Sequence, residues 1–169
     1  WIYCGRFCGD CWYCMVYRMA KAQKSIMKRI CLIFFVLIIA SCAQKPEPLV
    51  AGKDSCHHCK MPVADTRFGA ELITTKGRIY KFDDVNCMIQ WKAQSENKDL
   101  KFNHILVVNY FDKTDLIEAA NAVFVKSDNI RTPMNSGFAA FSSEENARKL
   151  INEYGGEICN WEKVLVSIP

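Results

Sequence analysis

A run of eleven apolar residues from Ile30 to Ala40, opened by Met27-Lys28-Arg29 and closed by Ser41-Cys42, decides how much of this chain can fold. The order of charged, apolar and small residues is that of a secretory leader. The run is too short for a transmembrane helix, which needs about 20 residues. Its end, Ile39-Ala40-Ser41-Cys42, resembles a bacterial lipobox, in which the cysteine is acylated and becomes the first mature residue; ordinary cleavage leaving Cys42 free is the alternative. The polar stretch Gln44-Lys45-Pro46-Glu47-Pro48 suits a tether leaving a membrane surface.

Upstream, Cys4, Cys8, Cys11 and Cys14 have a spacing that could hold zinc or part of an iron–sulfur cluster. They precede a leader that would be cut away. Residues 1–26 are therefore read as a non-native or upstream extension, 27–41 as signal peptide and 42–53 as linker, with starts at Met15, Met19 and Met27 open. The whole chain carries +4, but from Cys42 onward 16 basic residues face 17 acidic ones, a net −1. No electrostatic case for nucleic acid survives that balance.

The remaining 128 residues suffice for one modest domain or two small ones. Phe68–Thr74 and Arg78–Phe82 read as strands joined across Lys76-Gly77, and Asp83 or Asp84 can cap a helix carrying Val85, Met88, Ile89 and Trp91. Ile105–Tyr110 reads as a further strand. The second half repeats the rhythm, with strands at Leu116–Ala119, Ala122–Val125 and Phe138–Phe141. A helix follows in which Ser142 and Glu145 form a capping box and Gly155-Gly156 the stop. A last strand is expected from Trp161 to Val166. The fold class is α+β, as two small units of hairpin, helix and strand over 54–112 and 113–169.

Chemistry concentrates in Asp54-Ser55-Cys56-His57-His58-Cys59-Lys60-Met61-Pro62. Thiolate and thioether are soft donors that favour copper(I), which accepts two or three of them, whereas zinc prefers four ligands and gains little from thioether. In an extended segment Cys59 and Met61, two apart, face the same way. Met134 lies in the turn-rich Thr132-Pro133-Met134-Asn135-Ser136-Gly137, where it either packs on a neighbour or serves as a ligand from across the two halves. His57 and His58 are supplementary ligand candidates, as is Cys56. Cys87 and Cys159 read as buried small hydrophobes.

Three other chemistries compete. A zinc site built on Cys56, Cys59 and the histidines crowds its donors into four successive residues, which strains a tetrahedron. A thiol–disulfide catalyst normally places its Cys-x-x-Cys at a helix start, and Met61-Pro62 offers none. Covalent haem needs histidine where Lys60 stands. Oxidation of Cys56 with Cys59 would compete with copper loading. No serine elbow, phosphate-binding glycine loop or catalytic carboxylate pair is present, so turnover of a small-molecule substrate is not expected.

Four stretches in order, Cys56-x-x-Cys59-x-Met61, Asp65-x-Arg67-Phe68-Gly69-Ala70-Glu71-Leu72, Gly77–Asp84, and Pro133-Met134-x-x-Gly137-x-x-Ala140-Phe141, resemble the NosL family. These are accessory copper-chaperone lipoproteins of nitrous oxide reductase. The resemblance implies copper(I) as cargo, delivery to the copper–sulfide centre of that reductase with its assembly machinery, and a lipid anchor on a periplasm-facing membrane, the outer membrane expected. It also implies a fold similar to that of the organomercurial lyase, and ligands at Cys59, Met61 and Met134. Where many family members have glycine between the second cysteine and the methionine, this chain has Lys60.

Overall fold

In the computed structural model, which describes residues 44–168, β1 (Ala70–Thr74) is buried at every position and sits between two antiparallel partners. The leader, Cys42 and the Cys4–Cys14 cluster lie outside the described residues. On one side of β1 is β2 (Ile79–Phe82), with Ala70 opposite Phe82; on the other is β3 (Phe102–Asn109), with Ala70 opposite Val107. A short 3-10 turn at Thr66–Phe68 replaces the start of the strand expected there, because the Asp65 carboxylate accepts from the Arg67 N–H and closes the turn.

Four further strands continue the sheet. β4 (Asp112–Glu118) folds back on β3; β5 (Val123–Lys126) pairs with β6 (Phe138–Phe141) and with β7 (Glu157–Cys159), both antiparallel. A single parallel pairing, Asn109 with Ala140, joins the two sets into a seven-stranded sheet. The order β2-β1-β3 in the first set is matched by β6-β5-β7 in the second, each a hairpin whose first strand takes up the strand that follows a helix. β7 was not anticipated: three residues are too few to show alternation.

Side-chain alternation sorts the core onto two faces. Leu72, Val107, Phe124, Phe138 and Ala140 point to one face, where α1 (Val85–Ala93) contributes Val85, Met88 and Trp91. Val125, Ala139 and Phe141 point to the other, covered by Ala147 and Leu150 of α2 (Glu144–Tyr154). The N-cap of α2 is Ser143 and not Ser142, whose hydroxyl instead accepts from the Asn109 side chain at 3.2 Å. Gly155, at φ 69°, ends the helix as expected.

The expected last strand is a helix. α3 (Trp161–Ser167) starts at Asn160, whose side chain accepts from the Lys163 N–H at 3.0 Å. Trp161, Val164 and Ile168 then meet the first face at helical spacing, while Leu165 and Val166 stay exposed. The apolar run Val164-Leu165-Val166, with two β-branched valines, favours a strand, and capping plus tertiary packing override it.

Candidate metal centre

Residues 52–63 fold as a narrow loop fastened by its own backbone. Gly52 N–H donates to the Val63 carbonyl at 2.8 Å, Val63 N–H to Asp54 at 2.9 Å, and Ser55 bridges Pro62. At its tip Cys56 N–H donates to Met61 at 2.8 Å while Lys60 N–H closes back onto Cys56 at 3.0 Å. The tip is a turn rather than an extended segment, so the alternation argument for Cys59 and Met61 does not apply. Lys60 adopts φ 65°, the left-handed region that glycine enters without strain. Its ammonium donates to the His57 carbonyl at 2.6 Å and helps hold the bend.

His57 N–H donates to the Lys81 carbonyl at 2.8 Å and so pins the loop beside β2. The next element supplies the rest. Asp84 is the N-cap of α1, its side chain accepting from Asn86 N–H at 2.9 Å, which leaves Asp83 free to turn toward the loop. The Cys59 thiol donates to Asp83 Oδ2 at 3.6 Å, and Asp83 Oδ1 is buried without a partner. Cys87, on the first turn of α1, completes a group in which the donor atoms of Cys56, Cys59, Asp83 and Cys87 all lie within 4.8 Å of one another.

Of the sequence-derived ligand candidates, Cys56 and Cys59 are in this group; Cys56 is fully buried and Cys59 half-buried. Met134 is half-buried against the same core cluster as Cys56, Cys59 and Cys87, and its backbone N–H donates to Asp84 Oδ2 at 3.1 Å. Met61 lies mostly outside the core, 45% exposed. Neither histidine belongs to the group: His57 packs edge-on against Tyr80 at 4.9 Å, and the Nδ1 of His58 is buried without a hydrogen-bond partner. Asp83 and Cys87 were missed as donors. The run Phe82-Asp83-Asp84-x-x-Cys87 carried a hint, because a cap needs one aspartate and the second is left for other work.

The electrostatics differ between thiols. A hydrogen bond from Cys87 holds the Cys56 thiol well below its ordinary value, at about 6, against the opposing effect of burial. Cys87, as the donor and buried, is pushed far up. Burial raises Cys59, and it lowers His57, with Lys60 and Arg78 adding to the latter. The Cys87 hydrogen bond thus favours thiolate at Cys56, and thiolate is the form that binds metal.

Fold and site together define a small α+β protein with a soft-donor cluster where a surface loop meets the entry of a helix. The chain belongs to the NosL family, whose sequence model matches residues 49–168. It is 28% identical over 117 residues to the copper-binding lipoprotein NosL of Stutzerimonas stutzeri, a match that covers 66% of this chain and 62% of that relative. Its fold is similar to the crystal structure of the copper chaperone NosL from Shewanella denitrificans, at a TM-score of 0.58 and 19% identity, covering 71% of this chain and 95% of that one.

Proposed function

We propose that this protein is a lipid-anchored copper(I) chaperone that holds its ion at the Asp83–Asp84 end of the sheet and passes it to another protein. Cys59, Met61 and Met134 are the ligands in this reading, with Cys56, His57 and His58 as supplementary donors. One observation carries it. The loop bearing Met134 is hydrogen-bonded to Asp84, and the loop bearing Cys59 to the adjacent Asp83, so consecutive residues fasten together two segments far apart in the chain. Sulfur donors from both halves suit a monovalent soft ion of low coordination number.

Transfer proceeds by ligand exchange. The exposed thioether of Met61 leaves a flank to which an acceptor's donor atoms add before the chaperone's own depart. This is carriage without turnover. The recipient is the copper–sulfide centre of nitrous oxide reductase, reached with its assembly machinery. Acylated Cys42 anchors the chaperone to the periplasmic face of the outer membrane. The two units, 54–112 and 113–169, are related, as in the organomercurial lyase-like fold; the matched strand orders of the two sets support this.

The test is anaerobic loading with copper(I) against a competing chelator. Wild-type protein keeps one ion, and the Met61→Leu/Met134→Leu variant surrenders it. Stoichiometric retention by the double variant overturns the ligand assignment. A zinc reading has its own support, since Asp83 and Cys87 add to Cys56 and Cys59 the four donors, drawn from two elements, that zinc prefers. Reconstitution with both metals separates the two: copper retained in the presence of zinc supports the chaperone, and zinc that excludes copper supports the alternative.

A further inference from the structure

The described chain begins at a definite place on the sheet. A Cβ built on Gly77, in the β1–β2 turn, would lie 3.5 Å from the Gln44 Cβ, so the entering segment rests against that turn. From there it is strapped along the domain. Glu47 N–H donates to Glu71 Oε1 at 3.2 Å, the Glu47 carboxylate lies 3.7 Å from Lys81 Nζ, and Leu49 is buried against Gly69. Gln44 is two positions on from Cys42, a reach of at most about 7 Å between their Cα atoms.

Basic side chains gather at the same turn. Lys76, Arg78 and Lys101 line an open concavity of about 390 Å³ together with Thr74, Thr75 and a single acid, Asp99. Thr75 N–H donates to the Lys101 carbonyl at 3.0 Å, which fixes the two rims together, and Arg78 lies over the Tyr80 ring at 4.8 Å. Lys45 is exposed on the strap beside them. Among the described residues none of these four cations has a carboxylate partner, and all four gather at one end of the sheet. A nearly neutral mature chain thus keeps a group of unpaired cations where it leaves the anchor.

We propose that the β1–β2 end of the sheet is the membrane-facing surface, and that Lys45, Lys76, Arg78 and Lys101 seat on anionic phospholipid headgroups. This rests on the reading of Cys42 as acylated. With the lipid no more than about 7 Å from Gln44, the turn is held at headgroup level, and that position selects a lipid surface over an acidic protein as the occupant. Each basic side chain at an anionic surface raises partition roughly fivefold, an effect that salt screens. The orientation has a consequence for the metal centre. Asp83 lies at the other end of β2, about 20 Å from Gly77 along an extended strand, so the thiol group faces away from the membrane and toward incoming partners.

Amine labelling of the full-length lipidated protein tests this. The protein is reconstituted in phosphatidylcholine vesicles with and without phosphatidylglycerol. Lys76 and Lys101 should label several-fold more slowly on the anionic vesicles than in detergent and recover in high salt, while Lys113, exposed at the start of β4 at the opposite end of the sheet, should not change. Equal labelling of Lys76 and Lys101 in all conditions overturns the proposal. Salt-resistant flotation reports the anchor separately: its loss refutes acylation of Cys42, and the footprint reports the orientation. In the Cys42→Ser background, K76Q/R78Q/K101Q should lower partition onto the anionic vesicles about a hundredfold. Unchanged partition with lost affinity for polyglutamate would reassign the patch to an acidic protein and overturn the lipid assignment.

Discussion

The backbone N–H of Met134 donates to Oδ2 of Asp84 at 3.1 Å, across fifty residues of chain, while the same carboxylate caps α1 through the Asn86 N–H at 2.9 Å. Asp84 is fully buried, so both bonds form in a place where water cannot replace them. One side chain therefore orients the helix that carries Cys87 and also holds the methionine loop at the entry of that helix.

Asp84→Ala removes a cap and leaves the Met134 amide unpaired, and it should destabilise the fold by about 2–4 kcal/mol in urea unfolding. Copper(I) retention against a chelator should fall with it. If stability drops and retention does not, Met134 is not a ligand. Asp84→Asn keeps an oxygen acceptor for one of the two amides and should fall between wild type and alanine on both measures.

The Cys56 thiol owes its depression to the hydrogen bond from Cys87. In metal-free, reduced protein the ultraviolet absorbance of thiolate should therefore appear with a midpoint near 6. Cys87→Ala should shift that midpoint upward, because burial and the Asp83 carboxylate are then opposed only by the backbone hydrogen bonds of Asp83 and Cys59. A midpoint that does not move in this variant shows that another group holds the Cys56 proton low.

Much of this architecture is legible in the residues themselves. The hairpin around Lys76-Gly77, the helix after Asp83-Asp84 and the glycine stop at Gly155 each rest on local chemistry that tertiary contacts reinforce. Local patterns failed where two partners competed for one signal. Ser142 has the capping-box partner Glu145, yet its hydroxyl is taken by the distant Asn109 and Ser143 caps the helix instead. Val164-Leu165-Val166 favours a strand until Asn160 caps it and Trp161 finds the core. At the site, Cys56 and Cys59 announced themselves by spacing, whereas Cys87 on a helix looks like any small core residue. Its role as a neighbour of Cys56 depends on a loop-to-helix contact that no spacing rule contains.

Glu71 is fully buried in the middle of β1, and burial is the main cause that raises its carboxyl to about 7, with Glu47 and Asp54 adding to the rise and Lys81 and the Glu47 N–H opposing it. Between the ordinary carboxylate value and about 7 the folded state binds a proton that the unfolded state does not. Stability therefore falls as pH rises across that interval and is flat above it. Glu71→Gln preserves the oxygen that accepts from Glu47 and removes the titration. Thermal unfolding should show the variant matching wild type in acid and exceeding it above neutrality, by about 3 kcal/mol. Parallel pH profiles for the two proteins would mean that Glu71 stays ionised in the fold.

The Met134 loop is closed by Gly137, whose φ of 68° only glycine adopts without strain. A Cβ there would lie 2.6 Å from the Ser127 carbonyl oxygen. That strand end cannot retreat, because Ser127 N–H is itself bonded to the Gly137 carbonyl at 2.9 Å, and the loop's other fastening, Thr132 Oγ1, already accepts from the Ser136 amide at 2.8 Å. Gly137→Ala should cost about 2–3 kcal/mol and displace the loop from Asp84. Gly52→Ala is the matched control: it also has positive φ, at 74°, but its added methyl meets nothing within 4 Å, so it should cost about 1 kcal/mol from backbone strain alone. The pair separates loop position from loop stability. Copper(I) retention should fall sharply in Gly137→Ala and hold in Gly52→Ala, while the thiolate midpoint of Cys56, which sits on the loop opposite Gly137, should be unchanged in Gly137→Ala. A fall in retention of equal size in the two variants would show that copper binding follows overall stability and not the placement of Met134.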